Sequence, residues 1–318
     1  MPEPGAALVL AVASSALFDL SESDRVFREQ GAEAYRAYQR AHEQVPLPPG
    51  AAFPFVRRVL ALNAGLQPPP VELVLISRND PDTGLRVRES MLHYGLTPGR
   101  MAFTGGADPW PYLGAFGAHL FLTRQASDVA AALAAGHAAG EVLAAAADDK
   151  EQDEQLRVAF DFDGVLADDS AERVFQAQGL AAFHAHEAAR ASEPVAPGPL
   201  ARLLLALSRV QARLADSRRL RVAIVTARSH PADRRVIATL RAWGVRVDEA
   251  YFVGDLPKEA VLAQLRPHLF FDDKRPVADR ASAVAPSVHV PFGVAGSTRS
   301  QAADAATATV SSCSGAVT

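Results

Sequence analysis

Apolar residues in this chain gather into short continuous runs separated by longer stretches of helical period. Leu8 to Val12, Leu73 to Ile76, Val158 to Phe160 and Val222 to Val225 are near-continuous apolar runs, as strands buried on both faces of a parallel sheet require. Amphipathic stretches and Pro-Gly turns lie between them. Strands alternating with helices at this spacing predict an α/β fold, a parallel sheet with helices on both faces.

The pattern repeats. DRVFREQG at 24–31 and ERVFQAQG at 172–179 share five of eight residues at an offset of 148. The same offset relates Pro46, Pro49 and Gly50 to Pro194, Pro197 and Gly198. At an offset of 149, Phe103 and Gly105 match Phe252 and Gly254, and HLF at 119–121 matches HLF at 268–270. A register kept over that length marks an internal duplication. We therefore expect two tandem domains of one kind, 1–150 and 151–295, joined near the polar run ADDKEQDEQ at 147–155. Residues 296–318, rich in Ser, Ala, Thr and Gly, read as a disordered tail.

Composition narrows the function classes. The chain has 318 residues, 49% hydrophobic and 21% charged, which suits a folded globular protein of about two domains. A net charge of −4 gives no basic surplus for a nucleic-acid polymer. The single cysteine, Cys313, supports neither a disulfide within the chain nor a thiolate metal site, which fits a reducing cytoplasm. LVLAVASSALF at 8–18 lacks the basic flank of a signal peptide, and no apolar run is long enough for a membrane span. The expectation is a cytoplasmic protein with a small-molecule partner; homo-oligomerisation is left open.

The chemistry sits in the second half. RVAFDFDGVLADD places Asp161 and Asp163 directly after a strand, where the carboxyl edge of a parallel sheet binds ligands. Two carboxylates two residues apart on extended chain point the same way, so one can attack while the other moves protons. Their repulsion calls for a hard divalent cation, most simply Mg2+. Asp272 and Asp273 end another apolar strand, Thr226 ends a third, and Lys258 opens a helix after a fourth. The ordered set DxDG, Thr, Lys, Asp-Asp resembles the haloacid dehalogenase superfamily of phosphatases. The second aspartate, Asp163, separates the phosphatases from the dehalogenases, which lack it, and from the transport ATPases, which carry Thr there.

In the first half Ala13 and Ser15 stand opposite Asp161 and Asp163, Pro109 opposite Lys258, and Thr123 and Arg124 opposite Asp272 and Asp273. That half is expected to be non-catalytic. Its TGG at 104–106 reads equally as an anion-binding loop or a tight turn. Arg78 reads as the counterpart of Arg228.

A narrower resemblance covers Leu8 to Val294. SSALF at 14–18, GAEAYRAYQ at 31–39, HYGL at 93–96, TGG at 104–106, VTARS at 225–229, RAWGV at 241–245, FFDD at 270–273 and HVPFGVA at 289–295 together resemble the cytosolic 5′-nucleotidase type I family. Vertebrate members read DGDAVL where this chain reads DFDGVL, which leaves both acids in place. The resemblance implies Mg2+-dependent hydrolysis of nucleoside 5′-monophosphates, AMP or pyrimidine (deoxy)nucleotides. It implies Asp161 as nucleophile, Asp163 as acid and base, Thr226 and Lys258 as phosphoryl holders, and Asp161, Asp163, Asp272 and Asp273 as the metal-site acids. Phe162, Gly164, Ala227, Arg228 and Asp169 are the candidate substrate contacts, with Arg228 reading equally as a structural ion pair.

Residues 169–216 read as a small helical cap, with Asp169, Glu172, Phe175 and His186 as candidates to line it and Phe175 assigned to the core. Trp110 reads as a buried anchor rather than a base-stacking ring at the interface of the halves, and His42, His93, His119, His268 and His289 as structural histidines. Two other functions compete with the nucleotidase: a phosphatase for sugar phosphates or another small ester, and a nucleotide-binding regulator.

Overall fold

A computed structural model describes residues 7–143 and 154–294. The expected junction near 150, the tail 296–318 and Cys313 lie outside the described residues. Among the described residues ten strands form one sheet: β1 Leu8–Val12, β2 Val71–Ser77, β3 Arg100–Phe103, β4 Leu120–Thr123, β5 Ala139–Val142, β6 Leu156–Phe160, β7 Leu220–Thr226, β8 Glu249–Phe252, β9 Leu269–Asp272 and β10 Ser287–His289. The order is β3-β2-β1-β4-β5-β10-β9-β6-β7-β8. All neighbours run parallel except β5 and β10, which pair antiparallel through Val142 with Val288 and Glu141 with His289.

Alternation along each strand sends side chains to opposite faces. On one face Leu8, Leu10 and Val12 of β1 and Leu156, Val158 and Phe160 of β6 join a single apolar cluster that runs through both halves. It is covered by helices Phe53–Ala61, Gly84–His93, Ala201–Arg213 and Asp233–Trp243, whose Phe55, Met91, Leu204 and Val236 are buried in it. The other face carries two separate clusters, one around Val9, Phe121 and Val129 and one around Ala159, Val225 and Leu262. Helices therefore cover both faces of a largely parallel sheet.

The antiparallel β5–β10 contact has a functional consequence. Strands of the two halves run in opposite directions, so their carboxyl ends emerge at opposite edges of the sheet. Trp110, just after β3, is at the far edge from Asp161 and packs with Phe116 and Ala118 against the first half's own cluster. It is an anchor there.

The segment 169–216 contains two helices of different character. Helix Ala201–Arg213 lies in the shared core. Helix Ser170–Ala189 buries only Ala171 and Glu187 and is broken at Gly179, where φ is +79° and ψ −178°. Its counterpart Ser21–Ala41 is broken at Gly31 with the same geometry. That corner of backbone space is open essentially to glycine alone. Phe175 is 42% exposed rather than buried: beyond the break the chain folds back so that Phe183 packs edge-on to it, and its outer face stays in solvent.

Candidate active site

Two neighbouring strands of the second half, β6 and β9, deliver the acids to one point. Asp161 follows β6, its N–H donating to Phe271 O of β9 at 2.8 Å. Asp272 is the last residue of β9, and Asp273 follows it. One carboxylate oxygen from each of Asp161, Asp272 and Asp273 lies within 4.8 Å of the others, and all three residues are buried. Lys258, the first residue of helix Lys258–Leu265, places Nζ 2.8 Å from Asp161 Oδ2 and 2.7 Å from Asp272 Oδ2. The Phe162 N–H donates to Asp161 Oδ1 at 2.7 Å, and the Lys274 N–H to Asp272 Oδ1 at 2.9 Å.

The charges are unbalanced. Burial pushes the Asp161 carboxyl up to about 6 against the pull of Lys258, and the charges of Asp272 and Asp163 add to the rise. Burial pushes Asp273 up to about 9, with Asp161 and Asp272 adding again. Lys258 is held above the ordinary lysine range by the two aspartates, although burial acts against its charge. Asp273 Oδ1 is buried with no hydrogen-bond partner among the described residues. An orphaned carboxylate oxygen within a group of three oxygen donors fits a hard divalent cation.

Asp163 stands apart from this group. Its two oxygens accept from Arg228 Nε and Nη2, both at 2.7 Å. Thr226 is buried at the end of β7, its hydroxyl accepting the Arg228 N–H at 3.3 Å. Of Phe162, Gly164, Ala227, Arg228 and Asp169 only Ala227 is exposed. Gly164 has φ +71°, and a Cβ there would run into the Asp273 carboxylate, so this glycine lets the loop close over Asp273. Phe162 is buried with its ring beneath the Arg228 guanidinium, 5.1 Å to the centroid. Asp169 is bound by Arg173 and accepts the Val294 N–H at 2.9 Å, so it ties the C-terminal segment to the loop.

Several residues here were not singled out from sequence. Glu187 bonds both Arg228 and Arg235, and Lys274 Nζ bonds both oxygens of Glu172 at 3.1 Å. Glu187 had a signal in the repeat, since the glutamate replaces Gln39 at the matched position. Arg78 is not the counterpart of Arg228: β2 and β7 end at Ser77 and Thr226, which puts Asn79 opposite Arg228. Arg78 instead pairs with Asp128 and Asp108. In TGG the Gly105 and Gly106 N–H groups donate to Asn79 O and Arg78 O, so the loop is a tight turn. His119 Nδ1 and His268 Nδ1 accept the N–H groups of Val9 and Arg157, the structural role expected of them. Among the described residues no helix is long and apolar enough to cross a membrane.

The chain is 38% identical over 284 residues to cytosolic 5′-nucleotidase 1B of Homo sapiens, an alignment covering 86% of this chain and 47% of the human protein. The chain thus spans about half the length of that curated relative. No solved structure matches. A family model described as 5′-nucleotidase matches residues 1–297. On that match, which takes in both halves of the sheet and every residue of the acidic site, the chain belongs to the 5′-nucleotidase family.

Proposed function

We propose that this protein is a Mg2+-dependent phosphoric monoester hydrolase of the cytoplasm that converts nucleoside 5′-monophosphates, AMP or pyrimidine (deoxy)nucleotides, to nucleoside and phosphate. The observation that carries the reading is the buried group Asp161, Asp272 and Asp273 against Lys258 in a chain of the 5′-nucleotidase family. The reading includes two tandem domains that meet near residue 150, the first non-catalytic, and a cap in which helix Ser170–Ala189 is the part that overhangs the acidic site.

In this reading an Asp161 oxygen attacks phosphorus in line and forms an aspartyl-phosphate, splitting one hard hydrolysis into two steps. Asp163 gives a proton to the departing O5′ and then takes one from the water that hydrolyses the acyl phosphate. Lys258 and the Thr226 hydroxyl hold the equatorial phosphoryl oxygens, where transfers of this kind gain most of their acceleration. Asp161, Asp272 and Asp273 would hold Mg2+, which when bound neutralises charge on the phosphoryl group and on the acids themselves. Ala227 is placed to meet substrate directly; Phe162, Gly164, Arg228 and Asp169 act on the site through packing or through other side chains.

Phosphate release from a panel of nucleoside 5′- and 3′-monophosphates and sugar phosphates tests the substrate class. Preference for 5′-monophosphates is expected. Equal or better turnover of sugar phosphates would leave a phosphatase but remove the nucleotidase.

A further inference from the structure

Next to the acidic group runs a buried line of charge that the reaction above does not use. Arg228 is 3% exposed and Glu187 0%. Two nitrogens of the Arg228 guanidinium grip Asp163, while Nη1 donates to Glu187 Oε2. Glu187 Oε1 accepts from Arg235 Nη1 at 2.7 Å. The rings of Phe162 and Phe183 lie on the guanidinium, 5.1 and 5.6 Å to their centroids. A guanidinium forked between two carboxylates and packed on two rings has one orientation, and it fixes the plane of the carboxylate it grips.

The first half is an internal control for what this network does. At the repeat offsets Gln39 stands opposite Glu187, Asn79 opposite Arg228, Arg86 opposite Arg235, Ser15 opposite Asp163 and Tyr35 opposite Phe183. Arg86 Nη1 donates to Gln39 Oε1 at 3.1 Å and its Nε to Val45 O at 3.1 Å. Arg235 makes the same two bonds, to Glu187 and, at 2.9 Å, to Glu193 O. Even the neighbouring hydroxyls agree, Ser90 Oγ accepting Leu47 N–H and Thr239 Oγ1 accepting Val195 N–H. Seating the overhanging helix on the core thus needs an arginine and an acceptor, and an amide suffices. The first half builds the same scaffold around buried Arg86 with an amide in place of the carboxylate. Charge at Glu187, Arg228 and Asp163 occurs only in the half that keeps the acids.

We propose that Glu187 is a positioning residue for phosphoryl transfer: it seats Arg228, and Arg228 orients the Asp163 carboxyl toward the leaving oxygen. The proposal rests on the reading of Asp163 as the acid and base. In the step concerned, an Asp161 oxygen bonds to phosphorus as the bond from phosphorus to O5′ breaks. The proton on Asp163 passes to O5′ and leaves Asp163 as the carboxylate that Arg228 grips.

The test compares two leaving groups in wild type and in Glu187→Gln, which keeps an acceptor for Arg235 as Gln39 does for Arg86. The quantity is kcat/KM, because it ends at the first irreversible step. For a nucleoside 5′-monophosphate, whose alkoxide needs a proton, kcat/KM should fall roughly 10- to 100-fold, the scale at which losing an outer partner of a site residue is felt. For p-nitrophenyl phosphate, whose leaving group departs unprotonated, it should fall far less. Equal falls for both esters, or no fall, would overturn the proposal.

Should wild type prefer another alkyl phosphate, the nucleotidase reading fails and the same comparison on that ester still decides this one. Wild type inactive on every phosphate ester sinks both. Should E187Q unfold, the double variant E187Q/R228N, which installs the neutral pair of the first half, is expected to fold and to show the same selective loss; its unfolding too would assign the charges to the scaffold and overturn the proposal.

Discussion

Asp161 and Asp273 share a predicament that makes cation binding measurable without any substrate. Both carboxyls titrate above their ordinary value of 3.8, near 6 and near 9, because burial disfavours their charge. A folded-state value raised in this way means that the folded protein holds protons the unfolded chain has released. The stability these groups contribute is complete below their ordinary value and is lost as pH rises through about 6 for Asp161 and about 9 for Asp273. A divalent cation reverses the sign by stabilising the ionised forms. Melting curves from pH 6 to 9 should therefore show Mg2+ raising Tm more at the alkaline end; a Mg2+ effect that shrinks with pH would contradict the assignment of these acids. Lys258 offers a second residue-scale test. Lys258→Ala leaves two buried carboxylates without their cation, a loss of about 3–5 kcal/mol when such a charge stays uncompensated. Because Asp161, freed of the pull of Lys258, can escape by taking a proton at pH values above about 6, urea denaturation should show the deficit growing from pH 5 to pH 8, and a constant deficit would mean that the lysine serves packing alone. These residues were legible in sequence because each stands where an apolar run stops. Glu187 carried only the weaker signal of replacing Gln39 in the repeat, since its partner Arg228 is 41 residues away and only the folded helix brings them together.

Helix Ser170–Ala189 is the element on which that meeting depends. Its break at Gly179 turns the second segment so that Phe183 and Glu187 reach Arg228. A Cβ at Gly179 would meet nothing within 4 Å, so the demand for glycine is conformational. Gly179→Ala should cost about 1–3 kcal/mol by chemical denaturation, the range for a side chain forced into that backbone region. A neutral substitution would show that the helix runs straight and that the network with Arg228 is not built as described. The sequence pattern shows a helix here, and the shared QG at 30–31 and 178–179 is visible, but a glycine within a helical stretch does not announce a break of this geometry. The exposure of Phe175 follows from the same turn; its recurrence as Phe27, itself 52% exposed, marks a shared position of the repeat and not the core.

At the scale of the molecule, the duplication was legible and its closure was not. The offsets near 148 relate strand to strand in the order observed within each half. The antiparallel meeting of β5 and β10 joins the last strands of the two halves, and neither run's composition says in which direction they pair. The consequence is one sheet with an apolar cluster crossing both halves. Residues 151–295 expressed alone would expose that shared cluster and the β10 edge, so they should be poorly soluble, and co-expression with 1–150 should restore soluble protein. A soluble, cooperatively melting second half would instead make it an independent domain. The account as a whole stands on Asp161 as the attacking group of a metal-dependent nucleotidase. The measurement that tests it most directly is phosphate release from a nucleoside 5′-monophosphate by wild type and by Asp161→Asn, each with Mg2+ and with chelator. Wild type should turn over only with Mg2+, and the variant, folded and nearly isosteric, should lose activity by a factor on the order of 10³ or more. Near-wild-type turnover by the folded variant, or wild-type turnover that ignores the chelator, would contradict it.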